Sequence, residues 1–178
     1  KKRLVNNEDS KGAEAGKKGG KNLKYQEYYQ IVMQQLEREF EEERENIQKA
    51  AEYCAASVMA DRVIHVFGCG HSQMFAMEVN ALLIPHLALF PKAKLSTMQE
   101  RVEGFSKGYL DLEDTDEKDT MIIVSVSGRN AGVVDMALAA KEKGMKVVAL
   151  VSSAFADATV SRHSSGKNLK EVADVVIE

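Results

Sequence analysis

The segment MIIVSVSGRNAGVVDMALAA, residues 121–140, sets an unbroken apolar run, a turn of serine, glycine and asparagine, and an alanine-rich stretch directly one after another. An apolar run from Met121 to Val126 suits a strand buried on both faces, and the small polar turn opens straight onto a helix expected over Ala131–Lys143. The same pattern recurs on either side. Further strands are expected at Val63–Phe67, Ile84–Leu89, Lys146–Val151 and Val175–Ile177, with helices near Ser72–Val79, Thr97–Tyr109 and Lys167–Val172. Strands alternating with helices pair in parallel through right-handed crossovers. The fold class expected is therefore α/β: a five-stranded parallel sheet, doubly wound into a three-layer α/β/α sandwich, whose ligands collect at the carboxyl ends of the strands. Ahead of it, Met33, Leu36, Phe40, Ile47, Ala51, Cys54 and Val58 recur at helical steps and predict one long amphipathic helix over Tyr25–Ala60. The glutamates on its other face, Glu37 to Glu45, read as a solvated surface.

Composition sets outer bounds. A chain of 178 residues with 44% hydrophobic residues fits one domain with a sizeable core. Cys54 and Cys69, the only two cysteines, sit in apolar stretches without the spacing of a disulfide framework or zinc cluster, which suits a reducing cytoplasm. No run approaches the ~18 apolar residues of a membrane span, and no signal-peptide core is visible in residues 1–20. The net charge of -3 is uneven, because residues 1–24 carry eight basic and three acidic residues. The acidic remainder argues against nucleic-acid binding. Residues 1–22, rich in Lys, Gly and Asn, read as a disordered basic tail or sequence foreign to the domain, leaving 23–178 as the folded unit.

Three turns stand out. In Val66-Phe67-Gly68-Cys69-Gly70-His71-Ser72, a strand passes through two glycines into a helix, where a backbone can approach an anion closely. A dinucleotide fingerprint would need a third glycine where Gln73 stands and an acid near Leu89–Pro91; a Walker lysine is also absent. In Ser125-Val126-Ser127-Gly128-Arg129-Asn130, alternation puts both serine hydroxyls on one side of the chain. With the amides at the following helix start and Asn130, they can surround a phosphate without a cation. The same residues would also serve as an ordinary helix cap. The third is Ser152-Ser153 with the later Ser161-Arg162-His163-Ser164-Ser165-Gly166, unusually dense in hydroxyls and charge for a connection.

Taken together, GCGHS after the first strand, SVSGRN after the third and VSRHSSGKNL before the last resemble the SIS (sugar isomerase) domain family. The likeness is nearest to bacterial members described as phosphosugar or phosphoheptose isomerases, and it spans about Asn22 to Glu178. It implies a flavodoxin-like, five-stranded fold and a phosphorylated sugar as ligand. It further implies a homodimer or homotetramer, with the apolar stripe of the leading helix suited to the contact. No metal and no cofactor are expected. Carried onto this sequence, the phosphate-binding set falls on Ser125, Ser127, Gly128, Arg129 and Asn130, with Gly70, His71 and Ser72 at the facing turn and Ser152, Ser164 and Ser165 nearby. For aldose–ketose isomerisation through an enediol, Glu103 is the expected base and His163 the shuttling acid–base group, with Glu100 the alternative acid. Both glutamates fit an exposed helix face equally well. A non-catalytic phosphosugar sensor, or a lyase cleaving a sugar-phosphate ether, would use the same fold. The resemblance also leads one to expect a longer aromatic and glycine-rich stretch after Met77–Asn80, and a closing helix after the fifth strand.

Overall fold

Val147, Val148 and Ala149 have at most 1% of their surface exposed, although neighbouring side chains of a strand point to opposite faces. Only a sheet covered on both sides buries such a run. The computed structural model describes residues 24–81, 87–89 and 99–178. The expected tail over 1–22 and residues 84–86 of the expected second strand lie outside these. The strands are β1 (Ile64–Gly68), β2 (Leu87–Leu89), β3 (Thr120–Val124), β4 (Lys146–Leu150) and β5 (Val175–Ile177). They form one five-stranded sheet in the order β2-β1-β3-β4-β5, with every neighbouring pair parallel. The chain therefore reverses its direction of travel between β1 and β3, which leaves a crevice beyond their carboxyl ends.

Helices fill both faces of the sheet. On one, α5 (Ala131–Glu142) covers Met121, Ile123, Val147 and Ala149 with its own Val133, Val134, Met136, Ala137 and Ala140. On the other, Ala50 and Tyr53 of α2 (Arg44–Met59) meet Ile122, Val148, Val175 and Ile177. α3 (Ser72–Ala81) packs on β1 and β2, and α4 (Phe105–Leu110) packs on α5. Short α6 (Ser153–Asp157) and α7 (Leu169–Val172) follow.

The boundaries differ from expectation where local backbone chemistry intervenes. The leading helix is two helices, α1 (Lys24–Glu42) and α2, separated at Glu43, whose ψ of 4° departs from the helical value. Residues 24–37 belong to one unit and 38–178 to the other. The helix expected over Thr97–Tyr109 is a single 3-10 turn at Gln99–Arg101 followed by α4, because Gly104 takes a positive φ of 80° between them.

At the amino end of the sheet, Asp119 is fully buried beneath β3. It accepts from Arg62 Nε at 2.9 Å, from His65 Nε2 at 3.1 Å, and from the amides of Val63 and Asp116 at 3.0 and 2.8 Å. His65 is thus a packed structural residue, as its place inside a strand suggests. Burial opposes protonation of its imidazole and lowers its pKa, partly offset by Asp119.

Candidate functional site

Parallel pairing of β1 with β3 sets Gly68 directly beside Val124. The two turns that follow these residues, Cys69–Ser72 and Ser125–Asn130, consequently leave the sheet at one level on either side of the crevice. The first turn is tight. An added Cβ at Gly68 would meet the Ser72 carbonyl oxygen at 2.6 Å, so the chain doubles back where only glycine fits. Gly70 has a φ of 58°. The amides of Ser72 and Gln73 are already bonded to Cys69 O and Gly70 O, each at 3.2 Å. These two amides are therefore not free to receive an anion. His71 is exposed and Ser72 half-buried. Cys69 is buried, and desolvation together with the Glu100 charge pushes its thiol up to about 12, so it stays protonated.

The second turn is built differently. The buried Ser125 Oγ accepts from Gly128 N at 3.1 Å, which folds the turn back on itself while the hydroxyl proton remains available. The half-buried Ser127 side chain has no hydrogen-bond partner among the described residues. α5 starts immediately afterwards, and the amides of Ala131 and Gly132 are ones that an α-helix cannot satisfy internally. Asn130 precedes α5 without capping it; its Oδ1 instead accepts from Arg162 Nη1 at 3.2 Å. The alternative of a plain Asn cap is therefore not the arrangement here. Ser152 separates from this group. It opens α6, donates its amide to Val126 O at 3.0 Å, and lines a shallow cavity with Val124, Val126, Leu150 and Ile177.

The two glutamates part company. Glu100, buried, projects Oε2 toward the first turn, where an added Cβ at Gly70 would stand 3.3 Å from it. Its carbonyl oxygen lies as close to the Cβ position of Gly132, in the first turn of α5. Glu100 thus sits between the two turns. Glu103 is bound elsewhere: Ser164 donates its amide to Oε1 and its hydroxyl to Oε2, each at 2.6 Å. Those two bonds hold the Glu103 carboxyl below its usual range.

His163 is equally committed. The Ser165 amide, which can only donate, reaches Nδ1 at 3.0 Å, so the proton of the neutral ring lies on Nε2 and points to Asp135 Oδ1 at 2.9 Å. Ser165 Oγ also touches Nδ1, at 2.8 Å. Asp135 uses its other oxygen to accept from Gly104 N. It is the one acid in the buried stretch Ala131–Ala137, and that placement is the sequence signal by which it was legible. Sequence reasoning passed over it.

Residues 161–169 therefore brace the second turn. Arg162 N donates to Arg129 O at 2.8 Å, Asn168 Nδ2 to Ser127 O at 3.0 Å, and Leu169 N to Gly128 O at 2.9 Å. Asn168 also closes a capping box on α7 with Glu171. Gly128, with a φ of 62°, lies so close that an added Cβ would meet Asn168 Oδ1 at 2.3 Å. Replacing Asn168 by alanine removes the brace and the cap together. Urea denaturation should show a loss of about 2 kcal/mol, and a melting temperature unchanged within 1 °C would contradict the bracing role.

Among the described residues, no group of three or more His, Cys, Asp or Glu side chains is placed to hold a metal ion. No helix among them is long and apolar enough to cross a membrane.

The sequence and the fold have counterparts. The family model for the SIS domain matches residues 27–152. A UPF0309 protein of Thermoanaerobacter pseudethanolicus is 41% identical over 164 residues, covering 85% of this chain and 66% of the relative. One from Halalkalibacterium halodurans is 37% identical over 164 residues, covering 86% and 66%. The chain spans just under two thirds of the length of these curated relatives. Among solved structures, a phosphoheptose isomerase from Francisella tularensis superposes with a TM-score of 0.66 at 20% identity, over 86% of this chain and 82% of its own. Another from Neisseria gonorrhoeae gives 0.53, also at 20%, over 86% and 84%. At that identity the likeness is one of fold.

Proposed function

The chain belongs to the SIS domain family, and from that premise we propose that residues 23–178 form a phosphosugar-binding domain that isomerises a sugar phosphate through an enediol. One observation carries the reading: the unengaged Ser127 hydroxyl and the orphan amides of Ala131 and Gly132 share the mouth of the β1/β3 crevice. A phosphate dianion there would accept from Ser127, Ser125 and those amides, with the amino end of the α5 dipole favouring its charge. The sugar would extend toward Gly70, His71 and Ser72.

Glu100 then lies between phosphate and turn. In this proposal it, rather than Glu103, removes the proton from the carbon beside the opened sugar's carbonyl, and the resulting enediol regains a proton at the neighbouring carbon. His71, exposed at the same turn, is the imidazole open to the hydroxyl protons; Glu103 and His163 serve the brace. Cytoplasmic residence and assembly of like chains belong to the same reading. Tyr25, Tyr28, Tyr29 and Leu36, each about 60–70% exposed on α1, supply apolar surface for the latter. The internal engagement of Glu103 and His163 also favours a second reading, a module that binds the phosphosugar without converting it.

A thermal-shift panel of phosphorylated hexoses, heptoses and amino sugars, followed by proton exchange in deuterated water, separates the two. Ser127→Ala should weaken binding about tenfold, as expected for a hydrogen bond to a charged group. Glu100→Gln should keep binding and lose exchange. An unaltered affinity in Ser127→Ala removes the phosphate site, whereas binding without exchange in the unmodified protein leaves the sensor.

A further inference from the structure

Two guanidinium groups lie at the rim of the crevice without a carboxylate in ion-pair contact among the described residues. Arg129 belongs to the second turn and Arg162 to the brace, and the two are joined through their backbones, Arg162 N to Arg129 O. Among the described residues neither enters an ion pair. Arg38, Arg44 and Arg62, by contrast, each lie within 2.9 Å of a carboxylate, while Arg101, exposed on the 3-10 turn, is likewise unpaired among the described residues. Of the acids around the crevice, Glu103 accepts from Ser164 and Asp135 from His163 and Gly104, while the Glu100 carboxylate points to the first turn, toward Gly70. Lys167, exposed and five residues beyond Arg162, adds a third cation without a carboxylate partner among the described residues.

A phosphate at the α5 amino end already finds donors for its oxygens in the Ser125 and Ser127 hydroxyls and the Ala131 and Gly132 amides, which leaves the guanidinium donors for another acceptor. Arg162 spends Nη1 on Asn130, which orients the guanidinium and leaves its Nε–Nη2 edge facing no protein acceptor among the described residues. That edge presents two parallel N–H donors, a spacing that matches the two oxygens of a carboxylate. We infer that Arg129 and Arg162 read a second acidic group on the ligand, so that the domain selects sugar phosphates that also bear a carboxylate. The inference rests on the phosphosugar reading above and adds to it the identity of the ligand's other end.

A matched pair of probes tests it. 6-Phosphogluconate and glucitol 6-phosphate share an open chain and a phosphate, and differ at one carbon, carboxylate against hydroxymethyl. Calorimetric titration at low salt should show 6-phosphogluconate binding about tenfold more tightly, the difference expected of charge-assisted hydrogen bonds. In Arg162→Gln and, separately, Arg129→Gln, the preference should fall to within about twofold, with melting temperatures confirming that each variant is folded. Equal affinities in the unmodified protein overturn the inference and leave the phosphosugar reading standing. So does a preference that survives both substitutions. If neither probe nor inorganic phosphate binds, the phosphosugar reading itself falls and takes the inference with it.

Discussion

Gly68→Ala is expected to abolish sugar-phosphate binding and to destabilise the fold by about 3 kcal/mol, the upper range for overpacking a close-packed site. The new methyl group would stand 2.6 Å from the Ser72 carbonyl oxygen and 2.8 Å from its carbon. Both are backbone atoms held in the first turn of α3, so no rotamer change relieves the contact. Relief requires α3 to move away from β1, and the first turn with it. Gly108→Ala supplies the control. An added Cβ there meets nothing within 4 Å, and the residue lies inside α4, where alanine is favoured over glycine by up to about 1 kcal/mol. Urea titration of both variants, with a thermal-shift test of phosphate binding, separates steric blockage from glycine loss. A Gly68→Ala protein as stable as Gly108→Ala would remove the tight turn from the account of the site.

Asp119→Ala should be the most damaging change away from the crevice, costing about 3–5 kcal/mol, because it strands a partly buried guanidinium and two amides at once. The pH dependence follows from the same contacts. Burial alone would raise the Asp119 carboxyl, but Arg62, the two amides and His65 outweigh it and hold the carboxyl at about 2, against 3.8 when unfolded. A lowered carboxyl pKa means that the unfolded chain binds protons first as the solution is acidified. The Asp119 contribution is therefore complete above about pH 4 and drains away as pH falls toward 2. His65, with its pKa lowered by burial, adds an earlier loss that begins as pH drops through 6.5, its ordinary value. Denaturation of the unmodified protein and Asp119→Ala at pH 7 and at pH 3 should give a gap that narrows in acid. A gap that is the same at both values would mean the carboxylate is not the anchor.

The strands were legible in the sequence because a doubly covered sheet demands continuous apolar runs, and MIIV and KVVAL leave little other use for such side chains. The turn glycines and serines were legible for a related reason: few residue types permit those backbones or supply those donors. The partnership of side chains across the fold was not. SRHSSG draws attention by its density of reactive groups, yet Ser164, Ser165 and Asp135 absorb the hydrogen-bonding capacity of Glu103 and His163. A spacing pattern cannot show which neighbours 61 or 28 residues away will arrive to do so. The same limit separated Glu100 from Glu103, three positions apart and facing different parts of the molecule. The helix break at Glu43 carries no proline or glycine to announce it.

The brace makes the conformation of the turn after β3 depend on a part of the chain that is translated later. Asn168 reaches back 41 residues to hold Ser127, and Leu169 does the same for Gly128. During synthesis the first four strands emerge before either hook, so a nascent chain can assemble most of its sheet while the turn after β3 is still slack. On the phosphosugar reading, competence to grip a ligand should therefore appear only once Asn168 and Leu169 have been synthesised, after the first four strands can already have paired.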